Sequence, residues 1–238
     1  FRAHFEQGTE VGAGVCIYAQ GRCVVDLWGG WADEATRTPW QRDTRAVLFS
    51  VTKAMTAIAF HLLADRGLLR WDDRVATHWP GFGRAGKERI TIEVLLGHTA
   101  GLAALDTRLR LEDCLTSPLS AAVVEAMETQ RPRWEPGTDQ GYHALTYGLY
   151  AAELFRRIAG ESIGGFLQRE YFEPLDSDVR LGTDAAWQRR CATLYPPTNA
   201  SRLANMAKAG LFDPASAEGG IARDIVRRDS LSRAAFGN

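Results

Sequence analysis

The sequence predicts an α+β fold whose β structure is concentrated at the start of the chain. Three observations carry this. GAGVCIYAQGRCVVDLWGG places two runs of strand-forming residues around Gln20-Gly21, the pattern of a β-hairpin. AVLFSVTKAMTAIAFHLLADRGLL then changes from an extended stretch to an apolar stripe of Met55, Ile58, Leu62 and Leu63 at helical spacing. Beyond Trp71 strand-like runs nearly vanish, and the remainder of the 238 residues reads as mostly helical.

Each element has a local reason. FRAHFEQG reads as the tail of a helix already under way. Val24 and Val25 supply β-branched residues to the second hairpin strand. Residues 30–45 are polar, contain Pro39 and Trp40, and read as a loop; residues 46–49 read as a short extended segment. Gly67 stops the helix that follows. RWDDRVATHWPGFG reads as a long irregular connection. ITIEVLLGHTAGL begins as a short helix and ends in a polar loop at His98 and Thr99. Residues 118–130 form another helix, opened by Pro118. RPRWEPGTDQ is a loop, because Pro132, Pro136 and Gly137 exclude regular structure. LTYGLYAAELFRRIAG is a strong helix ending at Gly160, SIGGFLQREYF a weaker one, and 221–235 a last helix. The division that follows is a partial α/β domain over 1–70, holding the hairpin and the helix after Ser50, and a mostly helical domain over 71–238. A two-stranded hairpin is marginal by itself. Either the helices cover it or partner strands lie beyond Asn238.

Composition narrows the function classes. Apolar residues make up 45% of the chain, enough for a real core, and the formal net charge is −1. Well-mixed charges point away from nucleic acid and from anionic membranes. No apolar run approaches bilayer-crossing length. Cys16, Cys23, Cys114 and Cys191 form no C-x-x-C pair, and no histidine set has metal-ligand spacing. Cys16 and Cys23 fall on one face of adjacent strands, not directly opposite. They read as buried thiols in a reducing, cytoplasmic compartment, with a Cys16–Cys23 disulfide the less favoured alternative. The chain starts at Phe1 with no leader pattern and reads as one that has lost its own start, which also hides any signal peptide.

Ser50 and Lys53 are the first candidates for chemistry. Residues three apart share a helix face, about 5–6 Å between Cβ atoms, so the amine can reach the hydroxyl. The positive end of the helix dipole disfavours the ammonium form there, and burial acts in the same direction. A neutral lysine beside a serine can serve as a general base. The bland alternative is a helix-capping serine and a solvated lysine. Other motifs are declined. Gly81-Phe82-Gly83-Arg84-Ala85-Gly86 with Lys87 resembles a phosphate loop. Yet Glu88 stands where a hydroxyl should hold magnesium, and Trp79-Pro80 stands where the strand should be. There is no G-x-S-x-G and no H-E-x-x-H. Tyr142 follows a Pro-Gly loop and precedes a helix, a rigid and irregular place where catalytic groups are often held. It can carry a proton if a nearby cation lowers its pKa; otherwise it is a packing residue.

Several linked blocks then point one way. S-x-x-K at Ser50 is followed by ADRGLLRWDDRV, LLGHTAGL and WEPGTDQGYHA, in that order, with EPLDSDVRLGT after the next helix. Together they resemble the serine β-lactamase and penicillin-binding-protein superfamily. The similarity lies with its class C-like branch, which includes family VIII carboxylesterases and β-lactamase-related serine hydrolases. It covers about residues 8–182. The resemblance implies a β-lactamase/transpeptidase-like α+β fold whose later sheet strands are missing from this chain. It implies that Ser50 is the acylated nucleophile, that Lys53 shares its proton network, and that Tyr142 is the general base. The Ser50 backbone N–H would be half of an oxyanion hole. No metal or cofactor is implied. The substrate would be a small ester or amide.

The departures refine the expectation. Where class C β-lactamases place an asparagine two positions after the tyrosine, this chain has Ala144. That favours esters over lactams. His143, between them, is expected to line the substrate pocket. The family's third motif, a Lys/His-Thr/Ser-Gly or a tryptophan variant on a late strand, is not found, so this chain alone is expected to be incomplete and inactive. The alternatives are β-lactamase or D-amino peptidase-type activity on the same scaffold, or a non-catalytic relic or assembly protein.

Overall fold

A computed structural model describes residues 1–195, and the last helix read at 221–235 lies outside them. The described residues group into two compact units. One comprises Phe1–Phe49 with Gly182–Tyr195, the other Ser50–Leu181. The helix after Ser50 therefore groups with the helical part, and the boundary falls at Phe49/Ser50 rather than at residue 70. The reason is the packing of that helix: Ala59, Phe60 and Leu63 are buried in the helical core.

The first unit contains α1 (Arg2–Glu6), β1 (Gly12–Ala19), β2 (Arg22–Asp33), β3 (Thr38–Pro39) and α9 (Ala185–Gln188). The strands form one antiparallel sheet in the order β1-β2-β3. Gln20 and Gly21 both have positive φ, 48° and 75°. That is the two-residue turn whose twist matches the flanking strands. The sheet extends further than the sequence reading allowed. β2 continues to Asp33, and Trp31 pairs with Pro39 inside the stretch read as a loop. Gly30 makes this possible: at its φ of 79°, a Cβ would lie 2.1 Å from the Val11 carbonyl oxygen. Residues 46–49 are not a strand. Instead Arg45 makes an isolated bridge to Cys191, and its guanidinium stacks 3.5 Å from the centre of the Trp187 ring. Residues after α9 return to the sheet: Thr193 N donates to Ala32 O at 2.8 Å, and Thr193 Oγ1 donates to Asp33 Oδ2 at 2.6 Å. Cys16 and Cys23 are exposed, which corrects the expectation of buried thiols.

The second unit contains α2 (Val51–Asp65), α3 (Val75–His78), α4 (Ile92–Leu96), α5 (Leu111–Cys114), α6 (Ala121–Thr129), α7 (Thr146–Ala159) and α8 (Ile163–Leu167). Its core is aromatic. Phe155 of α7 meets Phe60 of α2 and Phe166 of α8 edge-on, with ring centres 5.4 and 5.2 Å apart. Edge-to-face contact suits the ring quadrupoles. α7 ends as read, at Gly160 with φ 77°. α6 starts later than read, capped by the Ser120 hydroxyl rather than opened by Pro118.

RWDDRVATHWPGFG is not irregular. It forms α3 and a 3-10 turn over Pro80–Gly83, and Val75, Trp79 and Phe82 are wholly buried. Elements this short carry too few residues for a periodic signal. The same region explains the phosphate-loop mimic. Gly81 presses against Glu128, where a Cβ would lie 2.1 Å from a carboxylate oxygen. Lys87 is buried, and its Nζ donates to the carbonyls of Glu128 and Gln130 at 2.7 and 2.5 Å. Burial lowers the Lys87 pKa to about 8, against the opposing pull of Glu88 and Glu128. This lysine is committed to the core.

Candidate active site

The site is built within the second unit, on the start of α2 and the two loops that face it. Ser50 begins α2 with helical angles, φ −75° and ψ −3°. It follows Phe49, whose φ of 43° is left-handed. A non-glycine residue held there stores on the order of 1–3 kcal/mol, and such strain clusters at functional positions. The abrupt turn leaves the Ser50 side chain exposed. One helical turn on, Lys53 Nζ donates to Ser50 Oγ at 3.1 Å. The same ammonium nitrogen donates to the Ala144 carbonyl at 2.9 Å. Lys53 thus ties α2 to the segment that carries Tyr142.

Tyr142 Oη lies 2.7 Å from Ser50 Oγ and donates to it. A proton can pass along that contact in either direction. Lys53 Nζ sits 4.8 Å from the centre of the Tyr142 ring. Partial burial pushes the phenol pKa up. The Ser50 hydroxyl, the Lys53 hydrogen bond and the Lys53 charge together overcome this, and the net pKa lies below the ordinary phenol value. Ser50, Lys53 and Tyr142, three residues singled out from the sequence, come together as one hydrogen-bonded cluster. Tyr147, the second residue of α7, faces the same lysine at 5.6 Å but has the opposite character. Burial first, then Tyr142, pushes its pKa up to about 12. Of the two tyrosines, only Tyr142 is tuned toward ionisation.

Tyr142 is held by two loops bonded side by side. Arg133 N donates to Gly101 O at 2.8 Å, Gly137 N to Thr99 O at 3.0 Å and Gly141 N to His98 O at 3.1 Å. Trp134 Nε1 adds a bond to Thr99 O at 3.1 Å. Gly101 is required at this seam. Its φ is 74°, and a Cβ would lie 2.9 Å from Trp134 O and 3.0 Å from Pro132 Cβ. The histidines lock the end of the seam. The His143 backbone N–H donates to His98 Nδ1 at 3.0 Å. That accepted bond places the proton of a neutral His98 ring on Nε2. The His98 ring packs against the rings of Tyr142 and Tyr147, with centres 4.9 and 5.1 Å away. Burial first, then the charge of Lys53, lowers the His98 pKa.

His143 does not line a pocket. It is wholly buried, accepts from Leu102 N at Nε2 (3.0 Å), and bonds the Gly141 carbonyl through Nδ1 at 2.6 Å. Burial lowers its pKa to about 4, Gly141 opposing and His98 assisting. Both ring nitrogens are spent on the backbone, so His143 is a scaffold residue. The sequence reading placed His98 in a polar loop and gave it no role. Its signal was its place in LLGHTAGL, but nothing local shows that the loop reaches Tyr142.

Among the described residues, no group of three or more His, Cys, Asp or Glu side chains could hold a metal ion. No helix among them is long and apolar enough to cross a membrane.

The chain is similar to known proteins over most of its length. The family model described as beta-lactamase matches residues 1–227. The chain is 38% identical over 179 residues to the esterase/beta-lactamase LipL of Mycobacterium tuberculosis, covering 74% of this chain and 40% of LipL. A beta-lactamase of Escherichia coli is 29% identical over 170 residues, covering 71% of this chain and 43% of that protein. A penicillin-binding protein homologue from Caulobacter crescentus superposes with a TM-score of 0.77 at 36% identity, over 83% of this chain and 52% of that one. A family VIII carboxylesterase superposes with a TM-score of 0.75, also at 36% identity, over 87% of this chain and 56% of that one. The chain therefore spans roughly half the length of the proteins it matches. The fold is β-lactamase/penicillin-binding-protein-like, mixing helices with a small sheet. With the family model matching nearly the whole sequence, the chain belongs to the beta-lactamase family.

Proposed function

We propose that the full protein carrying this chain is a serine hydrolase that cleaves small carboxylic esters through an acyl-enzyme. The observation that carries this is the position of Ser50 Oγ, 2.7 Å from Tyr142 Oη and 3.1 Å from Lys53 Nζ. Tyr142, in its ionised form, takes the proton of Ser50 as Oγ attacks the ester carbonyl carbon. The charge of Lys53 favours that ionised form. The negative oxygen of the tetrahedral intermediate is stabilised by backbone N–H donors, with Ser50 N–H as one of them. Collapse breaks the ester C–O bond, and the leaving alkoxide receives the proton from Tyr142. Water then attacks the acyl carbon and gives a proton to Tyr142; the bond from the acyl carbon to Ser50 Oγ breaks, the acid leaves, and Tyr142 returns the proton to Ser50 Oγ.

Ester preference rests on Ala144. Its side chain is a methyl group with no donor for a lactam amide, and its carbonyl is engaged by Lys53. A β-lactamase reading on the same residues draws on LipL, a relative described as both esterase and beta-lactamase. Small molecules are the expected partners. A cytoplasmic location is part of this proposal and draws on the four free thiols.

The test is fluorophosphonate labelling and p-nitrophenyl butyrate turnover by the full-length protein, with Ser50→Ala beside it. Labelling and turnover that both vanish in Ser50→Ala support the assignment. Labelling that survives the substitution refutes Ser50 as nucleophile. Absence of labelling and turnover in the parent favours a non-catalytic relic or assembly role.

A further inference from the structure

We propose that Cys16 and Cys23 are a reversible dithiol–disulfide site on the hairpin, oxidised by low-molecular-weight disulfides. The two-residue turn at Gln20-Gly21 pairs Ala19 with Arg22 and Tyr18 with Cys23. Cys16, two residues before Tyr18, therefore shares a sheet face with Cys23. The two are diagonal neighbours, since the residue directly opposite Cys16 is Asp26. Diagonal side chains usually stand well apart. Here the ladder shifts after Ile17, leaving Val24 as the extra residue of a bulge. A bulge raises the local twist. Across this diagonal the two sulfurs lie 3.7 Å apart.

A disulfide bond is about 2.05 Å long, so the sulfurs need approach by only about 1.7 Å, within reach of a small χ1 rotation. Both side chains are exposed, so a small reagent can reach them. Desolvation first, then the Cys23 hydrogen bond and charge and the Asp26 charge, hold the Cys16 thiol above its ordinary pKa, with Arg42, bonded to Asp26 at 2.7 Å, opposing, so oxidation proceeds faster as pH rises. Cys114 and Cys191 are half-buried and belong to other segments.

The chemistry balances as two thiol–disulfide exchanges. One cysteine, having lost its proton, attacks a sulfur of the reagent RSSR. The reagent S–S bond breaks, and RS⁻ leaves and takes up a proton. The second cysteine, as thiolate, attacks the protein sulfur of the mixed disulfide. A second RS⁻ leaves and is protonated. Two protein thiols are oxidised to one disulfide, and one RSSR is reduced to two RSH. Excess monothiol or dithiothreitol reverses both steps.

The experiment uses the full-length protein with Cys114→Ser and Cys191→Ser, treated with oxidised glutathione and digested with trypsin. Trypsin cuts after Arg22, between the two cysteines. The expected result is that peptides 3–22 and 23–37 appear joined, two hydrogens lighter than their sum, with both thiols lost together and both restored by dithiothreitol. A second protein moves one thiol by a single position, Cys16→Ser with Ile17→Cys, which places it on the opposite face of β1 at nearly the same chain separation. It should accumulate separate glutathione adducts instead of joined peptides. Separate adducts on the first protein would overturn the proposal. So would equal joining in both proteins, because proximity in sequence rather than the paired face would then explain the link.

Discussion

Replacing Tyr142 by phenylalanine removes one oxygen and leaves the ring where it is. The ring still packs 4.9 Å from His98 and 4.8 Å below Lys53. The lost oxygen makes a hydrogen bond to Ser50, an exposed group, and Tyr142 itself is 41% exposed. The stability cost is therefore about 1 kcal/mol or less, the net worth of one hydrogen bond that water can replace. The catalytic cost is of a different size. Losing a positioned general base slows the chemical step by roughly 10²–10⁴, or about 3–5 kcal/mol of barrier at 1.36 kcal/mol per decade. Single-turnover acylation by a fluorophosphonate, followed against pH in the full-length protein, separates the two effects. In the parent, acylation climbs as pH rises through the Tyr142 pKa, which lies below the ordinary phenol value. In Tyr142→Phe that limb disappears and the rate falls, while thermal unfolding by circular dichroism stays in place. Acylation at the parent rate with the limb intact would refute Tyr142 as the base.

Other expectations follow from the same framework. His143 has its pKa lowered to about 4 from 6.5, so the folded state binds fewer protons than the unfolded state between those values. Its stabilising contribution is therefore complete above about pH 6.5 and lost as pH falls through about 4. At 1.36 kcal/mol per unit it is about 3 kcal/mol, and urea unfolding across that window should show a shallower pH slope in His143→Gln. An unchanged slope would remove His143 from the explanation of acid sensitivity. Gly101→Ala should destabilise more than Gly137→Ala. Both glycines have left-handed φ, costing about 1–2 kcal/mol for alanine, but only Gly101 also meets Trp134 O and Pro132. Equal melting shifts for the two variants would contradict the close seam between the loops. Lys87→Met should lower stability by about 2–4 kcal/mol, because it strips the charged donor from the buried Glu128 and Gln130 carbonyls. A melting temperature equal to the parent's would show that those carbonyls find other partners.

Part of this protein is determined by sequence alone because it depends on short-range rules. Gln20-Gly21 specifies a two-residue hairpin turn through the φ > 0 that both positions adopt. Ser50 and Lys53 meet because an α-helix brings residues three apart onto one face, and the 3.1 Å contact follows from that repeat. α7 is legible from its apolar spacing and its terminal Gly160. The linked blocks from Ser50 to Thr183 identify the family. What tertiary structure alone decides are relations with no local period. Val75, Trp79 and Phe82 are core residues held by turns too short to announce themselves. Whether His143 faces substrate or backbone depends on Leu102, far from it in the chain. Cys16 and Cys23 are exposed because of what packs, or does not pack, on their strand face. Tyr142 reaches Ser50 across a separation of 92 positions. That contact exists only because the His98–Leu102 and Arg133–His143 loops bond to each other, and because Lys53 bonds Ala144. The helix repeat delivers the nucleophile and its cation. The proton carrier arrives only once backbone groups of two distant loops have found each other.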